Sequence, residues 1–113
     1  MENMELKNKK ITFCFPYRGA GGVPLLFLRL ANNLNKLNYD VVIVDYIDGF
    51  MSLNNKENLD LIEYKDNEDI KISSNNILIL QTMTPWSIYS SLRIDNEVKL
   101  FFISTIFTHS YLS

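Results

Sequence analysis

Residues 11–24 read Ile-Thr-Phe-Cys-Phe-Pro-Tyr-Arg-Gly-Ala-Gly-Gly-Val-Pro, and this stretch decides the fold. Ile11 to Phe15 is a short, apolar, β-prone run stopped by Pro16, and it reads as a first strand. Tyr17 to Val23 is a loop with glycines at 19, 21 and 22. Pro24 is well placed as the first residue of a helix, where its missing N–H costs nothing. Leu26, Leu30, Leu34 and Leu37 then recur at helical spacing, with Arg29, Asn32, Asn33, Asn35 and Lys36 between them. The spacing predicts an amphipathic helix of about four turns with the four leucines inward. Asn38 ends it, since asparagine tolerates the left-handed conformation.

Downstream, Val41-Val42-Ile43-Val44 is β-branched without alternation. A strand covered on both faces looks like this, and such strands belong to parallel sheets. Asp45, Asp48 and Gly49 supply turn chemistry after it. Leu61–Tyr64 and Ile70–Ile72 are expected as weak strands, the second at an edge. Ile77–Leu80 is a second buried strand. Thr84 is expected to cap a helix beginning at Pro85, with Trp86, Tyr89 and Leu92 roughly on one face. Val98–Ile103 is the last strand. The alternation predicts an α/β fold: a Rossmann-like, three-layer, open parallel sheet with strand order 3-2-1-4-5. Residues 1–10 read as a polar tail and 11–113 as the domain.

The 113 residues allow one domain. They are 47% hydrophobic and 21% charged, which excludes a disordered chain, a collagen-like repeat and a coiled coil. The net charge of −2 counts against a nucleic-acid partner. Cys14, the single cysteine, permits no internal disulfide, and with no signal-like or membrane-spanning run the expectation is cytoplasmic.

Ligands of open parallel sheets bind at the carboxyl ends of the strands, where strand order reverses. That places a site on loops 17–23 and 81–86. Glycines at Gly19, Gly21 and Gly22 are expected to bring backbone close to a ligand and to adopt positive φ. The helix amino terminus beside them suits a phosphate or carboxylate, and Arg18 offers a planar charged fork. Gln81 and Thr82 follow a buried strand at the reversal point. Tyr17 and Trp86 offer ring faces to a sugar or base. Asp45 and Asp48 read either as sugar ligands or as turn formers. A dinucleotide fingerprint would place a third glycine where Pro24 stands, although Asp45 sits where its ribose-binding acid belongs. A response-regulator pattern fails because Pro16, Tyr17 and Arg18 occupy the place of its acid pair. No Cys/His metal cluster and no serine nucleophile elbow are present in the sequence.

The words RGAGGVPLLFLRLANNL, YDVVIVDY and DG resemble the amino-terminal part of GT-B glycosyltransferases, in particular the large retaining group known as family 4. The resemblance covers residues 15–49, about a third of the 113. It implies an acceptor-side Rossmann-like domain and transfer of a sugar from a nucleotide-sugar donor, with no required metal. It implies a glycan or lipid-linked acceptor, and a place in the cytoplasm or at the inner face of a membrane. It points to His109 as a catalytic histidine, while Arg18, Gly19, Gly21, Gly22, Gln81, Thr82, Trp86 and Asp45 are the ligand contacts expected from their places on the loops at the carboxyl ends of the strands. A complete GT-B enzyme has two such domains of about 150 residues each. The chain is therefore expected to be a fragment or a half that needs a complementary domain or self-associates, and to be inactive alone. The nucleotide-sugar donor is expected only in a complete enzyme. The alternative is a small Rossmann-type nucleotide- or phosphate-binding module.

Overall fold

The computed structural model describes residues 8–104. Its main sheet has five parallel strands in the order β3-β2-β1-β5-β7. These are β1 (Lys10–Cys14), β2 (Asp40–Asp45), β3 (Asp60–Glu63), β5 (Asn76–Gln81) and β7 (Lys99–Ile103). Counting only strands of this sheet, the order is 3-2-1-4-5, as the βα alternation predicts. The fold is α/β and compatible with a Rossmann-like architecture. Lys10, assigned above to the tail, starts β1.

The parallel register sorts side chains onto two faces. Ile11, Phe13, Val41, Ile43 and Ile77 share one face with Phe27, Leu28 and Ala31 of helix α1 (Gly22–Lys36). Phe27 meets Phe13 and Phe15 edge-on, with ring centroids 5.6 and 5.8 Å apart. Burying a side chain like Phe27 contributes about 1.5–3 kcal/mol. The buried stripe is therefore centred on Phe27 and Ala31, not on the leucine row. Leu30 and Leu34 lie on its flank, partly buried, and Leu37 is 61% exposed because it sits at the cap beyond the last turn.

Asn38 does end α1. Its φ is 70°, and its N–H bonds the Asn35 carbonyl while the Tyr39 N–H reaches back to Leu34. That is the Schellman pairing of a helix end, with asparagine in the glycine position.

The second face packs Cys14, Val44, Leu78 and Leu80 against a different layer. Here β4 (Ile70–Ile72) pairs in parallel with β6 (Leu92–Ile94) as a separate two-stranded sheet. The sequence placed Ile70–Ile72 at an edge of the main sheet and missed β6. It also overran the helix after Pro85: α3 is one turn, Trp86–Tyr89. The Ser90 and Ser91 hydroxyls both bond the Ser87 carbonyl, a local alternative to further helix. A second single turn, α2 (Phe50–Leu53), follows β2.

The two edges of the sheet differ. β3 carries Asp60 and Glu63, charges that discourage pairing with another strand. β7 presents Leu100, Phe101 and Phe102 as exposed apolar residues. Residues 105–113, which follow β7, lie outside the described ones. Among the described residues, no helix is long and apolar enough to cross a membrane.

Candidate functional site

The parallel register brings the carboxyl ends of β1 and β5 side by side, so loops 15–24 and 81–85 meet. They line a cavity of about 430 Å³ formed by Phe15, Pro16, Tyr17, Gly21, Gly22, Val23, Pro24, Gln81, Met83 and Pro85. Its volume falls in the ordinary range of small-molecule sites. The walls are mostly apolar, and the Phe15 and Tyr17 rings lie 5.4 Å apart. One side is the amino terminus of α1, which no side chain caps and whose first turn holds no acidic residue. Uncapped first-turn amides and the helix dipole give that side a partial positive charge.

Of the residues singled out from sequence, the structure gathers Tyr17, Gly21, Gly22 and Gln81 around the cavity. Gln81 is buried, and its Oε1 accepts the Met83 N–H at 2.6 Å, which fixes the loop after β5. Thr84 does not cap α3. Its hydroxyl donates to the Gln81 carbonyl at 2.5 Å and closes the same turn.

Other candidates stand elsewhere. Arg18 is outside the lining: its guanidinium pairs with Asp48 at 2.8 Å and lies 3.7 Å over the Tyr46 ring. That hydrogen bond raises the Arg18 pKa further and lowers that of Asp48. Gly19 is also outside the lining, and a Cβ there would meet the Tyr17 ring. Thr82 is exposed and gives its N–H to the Ile103 carbonyl. Trp86 is 78% exposed on α3 and outside the lining. His109 lies outside the described residues.

The glycine loop also differs from its expected conformation. No glycine among the described residues lies in the left-handed region of φ. Gly21 is extended, with φ 168° and ψ 172°, and a Cβ there would find only ordinary contacts. Its use at the cavity is smallness, not a left-handed turn.

Asp45 is the largest correction. It is not a free ligand contact, because it is 0% exposed and its lone pairs are engaged. Oδ1 accepts the N–H groups of Tyr17 at 3.0 Å and Tyr46 at 2.8 Å, and Oδ2 accepts that of Ser52 at 3.0 Å. Burial raises its pKa, and these backbone bonds partly oppose the rise. Gly49 makes the arrangement possible, since a Cβ at that position would overlap the carboxylate. The sequence offered Asp45 and Gly49 as generic turn formers, and a buried acid four residues before a glycine was the signal for this close approach. Beside it, burial and the Asp45 charge push the Cys14 thiol up to about 12, so the thiol stays protonated and unreactive.

Among the described residues no three His, Cys, Asp or Glu side chains gather where a metal ion would be held. In comparisons with known proteins, no family model, no curated protein and no solved structure matches the chain.

Proposed function

We propose that the chain is the acceptor-side, Rossmann-like half of a sugar-transferring enzyme of the GT-B kind, and that the cavity between α1 and β5 is its wall of the cleft. The observation that carries this reading is the lining of that cavity. It sits where strand order reverses, between an uncapped helix amino terminus and the Phe15 and Tyr17 rings. Aromatic faces and apolar walls suit the flat, weakly polar faces of a sugar or a glycolipid head. The helix end suits the developing negative charge on a leaving diphosphate. Transfer also needs the donor held from the other side, so that positioning lowers the barrier. A single half supplies one wall and does not turn over.

A second reading, a small nucleotide- or phosphate-binding module, draws on the same helix terminus. Against it stands the diversion of Arg18 to Asp48, which leaves no cationic side chain among the described residues of the lining. Saturation-transfer NMR with octyl glucoside, UDP-, GDP- and TDP-glucose and NAD separates the two. The glycosyltransferase reading expects the glucoside and the glucose rings of the donors to receive saturation. Saturation confined to the base and ribose protons would favour the binding module. A radiolabelled-donor assay with the purified chain is expected to show no multiple turnover. Sustained product formation would overturn the half-enzyme reading.

A further inference from the structure

The second face of the sheet is covered unevenly. Ile70, Ile72, Leu92 and Ile88 close over Cys14, Val44, Leu78 and Leu80. Toward the amino ends of β1 and β5 the same face turns polar, at Lys10, Thr12 and Asn76. Thr12 is 1% and Asn76 6% exposed, and the Thr12 hydroxyl donates to Asn76 Oδ1 at 2.6 Å. The Asn76 amide in turn donates to the Ser73 carbonyl and hydroxyl. Thr12, Asn76 and Ser73 satisfy one another, which lets these polar groups stay buried. Thr12 and Asn76 line a cavity of about 610 Å³, walled by Lys10, Lys71, Arg93 and Asp95, with Ile62 and Ile72 adding an apolar side.

The charges around this cavity are unbalanced. Three cations meet one lining carboxylate in a chain whose net charge is −2. Lys71 and Arg93 are direct register partners across β4 and β6. Like charges placed opposite each other weaken a sheet pair. Asp69 meets Arg93 at 3.2 Å, and Asp95 is engaged by the Ser74 N–H at 3.2 Å. Lys10 and Lys71 have no carboxylate within 4.0 Å among the described residues, and the nearest register neighbour of Lys10 on β2 is Asp40. A bound anion would offset the opposed pair.

We propose that this cavity is a second binding site, for a small multivalent oxyanion bearing phosphate or carboxylate groups, with Lys10, Lys71 and Arg93 as its cationic contacts. It lies toward the amino ends of the strands, away from the α1–β5 cavity, and does not depend on the function read there. Both attraction and affinity fall as salt rises, because the cations are partly exposed.

Pyrophosphate and citrate are suitable probes, each titrated at low ionic strength by calorimetry and by backbone-amide NMR. The wild-type chain is expected to bind at least one, with shifts centred on residues 71–76 and 93–95. Lys71→Gln and Lys10→Gln are each expected to weaken binding about tenfold, whereas Lys56→Gln, the same charge change outside the lining, does not. Without anion, Lys71→Gln is expected to raise the melting temperature by relieving the opposed pair. Binding of pyrophosphate alone assigns phosphate chemistry, of citrate alone carboxylate chemistry. No binding of either probe overturns the proposal, as does equal weakening by all three variants or a shift pattern centred on loop 17–23.

Discussion

Two of the loops at the carboxyl end of the sheet, those after β1 and β2, are held by opposite means. The glycine loop after β1 has room around Gly21 and Gly22 and exposed backbone at both. The loop after β2 is wrapped around a buried carboxylate, with three backbone N–H groups converging on Asp45 and Gly49 pressed against it. The first loop has three glycines and needs none of them for a left-handed turn. The second has one glycine and has no space for anything larger. The second also steadies the first: Tyr17 gives its N–H to Asp45, and its carbonyl takes the Phe50 N–H at 2.7 Å. The cavity wall at Tyr17 is thus positioned by a residue that never reaches the cavity.

The contrast is broken most severely at Asp45. Asp45→Ala orphans three backbone donors in a buried turn and is expected to cost about 3–5 kcal/mol, at roughly 1–3 for each unsatisfied group with partial relief by water. Urea unfolding would measure it, and a loss below about 1 kcal/mol would mean that the carboxylate is not the organising group. Gly49→Ala forces the carboxylate aside, and overpacking of this kind costs about 1–3 kcal/mol. Gly21→Val, by contrast, enters extended backbone with open space and is expected within about 0.5 kcal/mol of the wild type. An equal loss at Gly21 and Gly49 would erase the distinction between the loops.

The pH dependence sharpens the same contrast, because the two aspartates of this loop shift in opposite directions. Asp45 has a raised pKa, chiefly from burial, so its protonated form is the one folding favours. Its contribution is fully present below the unfolded value of about 4 and is lost as pH rises through the folded value. Asp48 is lowered by Arg18, so its contribution is present above about 4 and is lost on acidification below it. Asp48 and Arg18 are exposed, and their pairing is further screened by salt. Melting curves across pH 3–7 are therefore expected to differ from wild type in opposite senses for Asp45→Asn and Asp48→Asn, with the smaller change at Asp48. Parallel curves would remove one of the two assignments.

Much of the sheet was legible because burial on both faces writes itself as uninterrupted Val and Ile. Val41–Val44 and Ile77–Leu80 could hardly be anything else, and βα alternation then orders them. The β4–β6 pair was not legible in full. Leu92-Arg93-Ile94 is three residues long and becomes a strand only because Ile70-Lys71-Ile72 lies beside it in space. The leucine row of α1 misled because it runs beside the true stripe, whose centre includes the small Ala31. At the candidate site, position was legible and contacts were not. A βα junction at the reversal point follows from topology, so loops 17–23 and 81–86 do meet. Which side chains enter depends on pairings across the chain. Arg18 is drawn off by Asp48, thirty residues away, and Asp45 is turned inward by amides from three segments. Left-handed turns fell to Asn38, Asn58 and Asn67, so counting glycines located none of them.

Two methionines place a reporter in each loop region: Met83 lines the cavity, and Met51 is buried beside the Asp45 turn. With methyl-labelled methionine, both regions are read in one NMR spectrum during a titration with octyl glucoside and then UDP-glucose. A site between α1 and β5 predicts a saturable shift of the Met83 methyl at unchanged Met51, abolished by filling the cavity with Gly22→Phe. A Met51 shift with Met83 unmoved, or no saturable shift of Met83 with either compound, would contradict it.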